Sequence, residues 1–204
     1  GEGVGAVILK PLSYALRDRD QIYAVIKGTA VNHGGRTNGY TVPNPNAQAD
    51  LIRQALKNAG VDARTIGYIE AHGTGTSLGD PIEIAGITKA YREYTDDRQY
   101  CAIGSIKSNI GHLESAAGIA GLTKIILQLK HKKLVPSLHA ERLNPNINFE
   151  ESPVYVQKEL TEWRQIITNE GGRSVPCPRR AAISGFGAGG ANAHIILEEY
   201  TGTM

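Results

Sequence analysis

His72, in "EAHGTGTSLGDPIEI" (residues 70–84), and His112, in "GSIKSNIGHLESAAGIAGL" (104–122), each follow a short apolar run and precede a stretch with helical spacing. That puts both imidazoles at strand C-termini, where open α/β sheets build their sites. The partial positive charge of a nearby helix N-terminus disfavours the imidazolium, so a neutral ring can donate its N–H to an oxyanion. Such a donor suits chemistry that passes through an enolate or a thioester. Lys107, in the same run as His112, would hold the local field positive.

Other readings of the same residues are weaker. A lone histidine is most often a hydrogen-bonded structural residue, and His33, His131, His139 and His194 keep that reading. "GTGTSLG" (73–79) and "GFGAGG" (185–190) resemble dinucleotide-binding loops in their letters. The second leads into "ANAHIILEEY", a β-rich run with no helix to hold a pyrophosphate. The first has its downstream acids, Asp96 and Asp97, before the next strand instead of at its far end. Cys101 falls in the buried strand "YCAIGSI" and Cys177 on a surface loop, "VPCPRR". Neither has an adjacent base or helix N-terminus to lower its pKa, so no nucleophile is assigned in this chain. No Cys/His spacing fits a metal, so no metal site is expected.

The elements that must position these residues alternate. "QIYAVIKGTAVNHGG" reads as a strand and "NAQADLIRQALKNAG" as an amphipathic helix stopped by Gly60. "TIGYIEA" is a strand, "DPIEIAGITKAYREY" a helix, "YCAIGSI" a strand, and "LESAAGIAGLTKIILQLKHKK" a long helix. "AAISGFGAGGANAHIILEEY" is strand, glycine turn, strand. The alternation implies an α/β protein with a mostly parallel sheet covered by helices. Asp80 as N-cap, Pro81 at the first helical position and Glu83 two further on predict a well-formed helix start behind His72. The small residues Ala116, Ala117, Gly118, Ala120 and Gly121 predict a helix packed tightly against another backbone, central and not superficial. "GEGVGAVILK" reads as a glycine-led strand already in progress.

With 204 residues, 41% hydrophobic content and a formal net charge of +2, the chain can bury a sizeable core and has no basic character that implies nucleic acid. No apolar run has the length of a membrane span, and the first residues lack the order of a signal peptide. A soluble, cytoplasmic protein is the expectation.

Three stretches, "EAHGTGTSLGDPIEI", "GSIKSNIGHLESAAGIAGL" and "SGFGAGGANAHIILE", strongly resemble motifs of β-ketoacyl synthases, specifically the ketosynthase domains of modular polyketide synthases. The likeness runs the length of the chain and includes "GEGVGAVILK" and "VNHGGRTNGYTVPNPNAQ". Gly121 stands where fatty-acid ketosynthases usually carry a glutamate, which favours the polyketide branch; "VNHGGRTNGYTVPN" looks most like enzymes whose acyltransferase acts in trans. The resemblance implies a thiolase-like α/β fold of two related halves in αβαβα layers. Residues 1–40 would end the N-terminal half and 41–204 form the C-terminal half.

It also implies a decarboxylative Claisen condensation that extends an acyl chain with malonyl borne on an acyl carrier protein. His72 and His112 would stabilise the thioester enolate, with Lys107 in support. Thr74 and Thr76 would hydrogen-bond the phosphopantetheine arm, which serves as substrate carrier; no directly bound cofactor is implied. Phe186, beside Gly187 in the glycine turn, would give its N–H to an oxyanion hole and its ring to gating. The family's nucleophilic cysteine belongs to a motif this sequence does not contain. The expected partners are therefore an N-terminal portion or partner chain carrying it, an acyl carrier protein, and a second complete ketosynthase in a dimer. Nucleic acid and membrane are not expected partners. The alternative is an inactive remnant that serves as a docking module.

Overall fold

In the computed structural model, residues 1–39 and 42–202 are described. Helix α1 (Leu12–Asp18) precedes β1 (Val25–His33), α2 (Pro45–Ala59), β2 (Tyr68–Glu70), α3 (Gly79–Tyr91), β3 (Cys101–Gly104), the single turn α4 (Lys107–Ile110) and α5 (Ala117–His131). Then come β4 (Lys133–Leu134), β5 (Val154–Val156), β6 (Thr161–Glu162), β7 (Ile167–Glu170), β8 (Arg173–Pro176), β9 (Arg180–Phe186) and β10 (Ala191–Glu198). A six-stranded sheet runs β1-β10-β9-β2-β3-β5; β9, β2, β3 and β5 are parallel, while β10 and β1 pair antiparallel. The expected mostly parallel sheet is thus mixed, because the β9–β10 hairpin reverses the chain.

Alternation along each strand gives the sheet two apolar faces. Ile69, Cys101, Ile103, Ala182 and Ile196 pack under α2 and α3, whereas Tyr68, Ala102, Ala181, Ile183 and Leu197 pack under α5 with Trp163. Asn44 caps α2, its side chain accepting the N–H groups of Asn46 and Ala47, and Pro45 opens the helix without needing a donor. At Gly28, β1 meets α2 so closely that a Cβ would lie 2.5 Å from the Ala59 nitrogen; only glycine fits there.

Two sequence readings change. The division between residues 40 and 41 lies at residues outside the described ones; β1, before it, pairs with the length of β10. Residues 1–10 form no strand; they lie exposed, with Gly3 and Gly5 against Leu113 and Ile119, and no described strand takes up their backbone groups. The long helix breaks into a 3₁₀ turn (Glu114–Ala116) followed by α5. One face of α5 sits on the sheet, but Gly118 meets nothing and Leu127 is 48% exposed. Its outer face, with Val4, Ile110 and Leu160, lines an apolar groove of about 620 Å³.

Candidate active site

The parallel neighbours β9, β2 and β3 end at one edge of the sheet. Phe186 closes β9, His72 lies two residues past β2, and Lys107 and His112 follow β3. These ends bring His72, His112, Thr74, Thr76, Phe186 and Gly187 onto one cavity of about 970 Å³. The histidine rings stand 5.5 Å apart between centroids, edge to face, and the Phe186 ring is 5.5 Å from His72.

Backbone donors fix the state of both rings. The Phe186 N–H donates to His72 Nδ1 at 3.3 Å, and the Glu114 N–H donates to His112 Nδ1 at 2.9 Å. A nitrogen that accepts carries no proton, so each neutral ring holds its hydrogen on Nε2. The second contact also explains the delayed start of α5: Glu114 gives its N–H to the imidazole and adopts a left-handed φ of 49°. Burial, then the charge of Lys107, then His112 lower the His72 pKa to about 4, so this ring is neutral at physiological pH. Lys107 does not line the cavity; its field reaches the site through space, and burial lowers its own pKa.

The loop carrying His72 hangs from a residue that sequence reading took for an ordinary capping acid. Glu83, 4% exposed, accepts the N–H groups of His72 at 2.8 Å and Gly73 at 2.9 Å. Burial lifts its pKa to about 7 against the pull of those two bonds. Asp80 likewise reaches back, accepting from the Gly75 N–H at 3.1 Å. The predicted cap is therefore displaced: α3 begins at Gly79, whose N–H goes to Thr76 Oγ1 at 2.9 Å, and both acids face the loop instead of their own helix. Thr76 keeps its hydroxyl hydrogen free to donate, and Thr74 is exposed at the mouth.

The glycine turn after Phe186 is tied down by Gly187 N–H to Ala191 O at 2.7 Å, which fits a hairpin and not a pyrophosphate loop. His33 braces that turn: it accepts from Gly35 N–H on Nδ1 at 2.9 Å, leaving Nε2–H for Gly189 O at 3.0 Å. His194 is buried against Ser184 and shifted down to about 4. Cys101 is fully buried in the core, and burial pushes its thiol pKa up. Cys177, expected on a surface loop, is 8% exposed, covered where its N–H donates to Ile166 O. Neither cysteine lines the cavity. Among the described residues no cluster of metal-ligating side chains forms.

Sequence reading missed Glu70 and Glu83. The available signal for Glu70 was a charge closing the apolar run "GYIEA"; for Glu83 there was none beyond its capping position.

Residues 23–141 match the family described as beta-ketoacyl synthase, C-terminal domain. Over 200 residues, 98% of this chain, it is 65% identical to polyketide synthase PksL of Bacillus subtilis (strain 168) and 58% identical to polyketide synthase ThaG of Burkholderia thailandensis. Those stretches are 4% and 3% of the two relatives. The structure superposes on the oxazolomycin ketosynthase domain OzmH KS7 of Streptomyces albus JA3453 with a TM-score of 0.90 at 52% identity, covering 96% of this chain and 33% of that one. It superposes on the ketosynthase from module 6 of the bacillaene synthase of Bacillus subtilis 168 with a TM-score of 0.87 at 47% identity, covering 95% and 33%. The chain thus spans about a third of these ketosynthases. Its fold is thiolase-like, and the chain belongs to the β-ketoacyl synthase family, matching its C-terminal domain.

Proposed function

We propose that this chain forms the C-terminal part of a polyketide ketosynthase, of the type served by an acyltransferase in trans, and supplies two neutral Nε2–H donors to a decarboxylative Claisen condensation. The observation that carries the reading is the histidine pair: two rings 5.5 Å apart, each with Nδ1 occupied by a backbone N–H, on one cavity. A malonyl thioester bound there would lose carbon dioxide, and the electron pair of the broken C–C bond would pass to the thioester oxygen. Two N–H donors stabilise that enolate oxygen where charge develops. The enolate carbon then attacks the acyl thioester, forming a C–C bond and expelling the thiolate that held the acyl chain.

The thiolate comes from outside these 204 residues, from an N-terminal part of the same polypeptide or from a partner chain. Both cysteines present are buried away from the cavity, which supports that assignment. The hydroxyls of Thr74 and Thr76 would receive the phosphopantetheine arm of an acyl carrier protein. The Phe186 ring would border the arm's end; its N–H, if it serves an acyl oxyanion, must first leave His72. The bare apolar side of α5 would meet the N-terminal half, within a dimer of complete ketosynthases working in the cytoplasm.

The test is reconstitution. The chain, with and without an N-terminal ketosynthase portion, is given an acyl donor and malonyl carrier protein and assayed for β-ketoacyl thioester. Product only from the combination supports the proposal. Product from the chain alone, abolished by Cys101→Ala or Cys177→Ala, would overturn it.

A further inference from the structure

β2 ends on a carboxylate that the apolar packing of the sheet does not call for. Glu70 is 2% exposed on the α5 side. Its Oε1 accepts the Ile106 N–H at 2.6 Å; its Oε2 accepts the Tyr68 hydroxyl at 2.7 Å and lies 2.9 Å from Lys124 Nζ. Lys124 is itself 6% exposed, and its ammonium also faces the Tyr68 ring, 5.3 Å from the centroid. A buried ion pair of this kind seldom adds net stability over an apolar pair of similar volume. What it delivers here is a single bond into the loop after β3.

That bond has a particular address. Ile106 immediately precedes Lys107 and α4, and the Ile110 and Gly111 N–H groups close that turn on Ile106 O and Lys107 O. His112 follows at once. Glu70 is also two residues before His72, so one carboxylate joins the backbones that carry both histidines. It reaches Ile106 because residue 121 has no side chain. A Cβ on Gly121 would stand 3.0 Å from Glu70 Cγ, 3.6 Å from Glu70 Oε1 and 2.7 Å from Ile183 Cδ1.

We propose that Glu70 is the positioning residue of the second histidine loop: a carboxylate delivered from β2 into the space left by Gly121 sets Lys107 and His112 relative to His72. The inference rests on the proposed condensing role of the two histidines. Its geometry carries a corollary. The carboxylate can be supplied from either side of that space, from β2 at residue 70 or from α5 at residue 121, but not from both.

The test uses a complete ketosynthase carrying this sequence, with self-acylation and condensation measured separately and amide exchange followed at Ile106. Glu70→Ala should lower the condensation rate by about 10- to 100-fold, as expected for a modest misplacement of reacting groups. Acylation should stay within about 2-fold, and Ile106 exchange should accelerate. Adding Gly121→Glu to Glu70→Ala should restore most of the condensation rate, whereas Gly121→Glu alone should impair it. Glu70→Gln with Lys124→Met keeps an acceptor for Ile106 without burying charge, and should fold and condense within about 5-fold of wild type. Equal loss of acylation and condensation in Glu70→Ala, absence of rescue by Gly121→Glu, or collapse of both Glu70 variants would overturn the proposal by assigning Glu70 to stability alone. Condensation by the unaltered enzyme, read in the same assay, tests the proposed function separately.

Discussion

The loop after β2 and the loop after β3 each donate backbone N–H to a buried carboxylate, Glu83 for the first and Glu70 for the second. Glu83 is held by two backbone N–H donors and sits so deep that its pKa rises to about 7. Glu70 has a buried ammonium beside it. The His72 loop is therefore tied by a group that changes charge near neutrality, and the Lys107–His112 loop by an ion pair with one backbone bond. The difference teaches that two histidine loops on one cavity, with the same ring tautomer, need not be held in the same way as pH changes.

The largest expected effect separates both loops from the rest of the molecule. In a complete ketosynthase, His72→Ala or His112→Ala should each lower condensation by about 10²- to 10³-fold, the usual effect of deleting one oxyanion donor. Acylation of the nucleophile should survive, because the thiolate attacks before carbon dioxide is lost. Intact-protein mass spectrometry reads the adduct and product analysis reads the condensation. Equal loss of both activities would mean that the histidines hold structure.

A smaller effect should divide the loops from each other. Glu83→Gln leaves one acceptor for two N–H groups and turns an amide donor on the other, at a cost of about 1–3 kcal/mol confined to the first loop. Amide exchange at His72 and Gly73 should accelerate by about 10-fold, with Ile106 unchanged. Acceleration at Ile106 as well would show that the loops are not independently tied.

The pH dependence of stability should carry opposing slopes. Glu83 rises from an ordinary 4.5 to about 7, so the folded state binds the extra proton and stability falls as pH rises across that window. His72 and His194 drop from 6.5 to about 4, so the unfolded state binds the extra protons and stability is lost as pH falls from 6.5 towards 4. Thermal melting from pH 4 to 7.5 should be flatter in wild type than in Glu83→Gln, where the slope opposing the histidines is reduced. An identical profile for the two proteins would contradict the assignment of Glu83.

The smallest effect lies on the bare side of α5. Leu127→Asp should change the stability of the chain by no more than about 0.5 kcal/mol, since Leu127 is 48% exposed. It should nonetheless weaken association with an N-terminal ketosynthase portion, measured by sedimentation. Unchanged association would remove this groove from the interface.

Much of this site was legible in the sequence because its chemistry sits on short motifs at strand ends. Periodicity and glycine stops located β2, β3, α2 and α3, and the two histidines followed from those ends. The carboxylates beneath the loops were not legible. Glu83 occupies a capping position, and nothing local says that it reaches past its own helix to His72 and Gly73. Glu70 acquires meaning only when α5 brings Gly121 and Lys124 over it, contacts more than 50 residues apart in the chain. Residues 1–10 misled for the converse reason: they have strand composition, but no described strand pairs with them.

The central claim is that the two loops present two Nε2–H donors to one cavity, and selective 15N labelling of histidine tests it most directly. At pH 8, both His72 and His112 should show an unprotonated Nδ1 and a protonated Nε2, assigned through His72→Ala and His112→Ala. A proton on Nδ1 of either ring would contradict the account, because that ring would turn an acceptor, and not a donor, towards the oxygen it is said to stabilise.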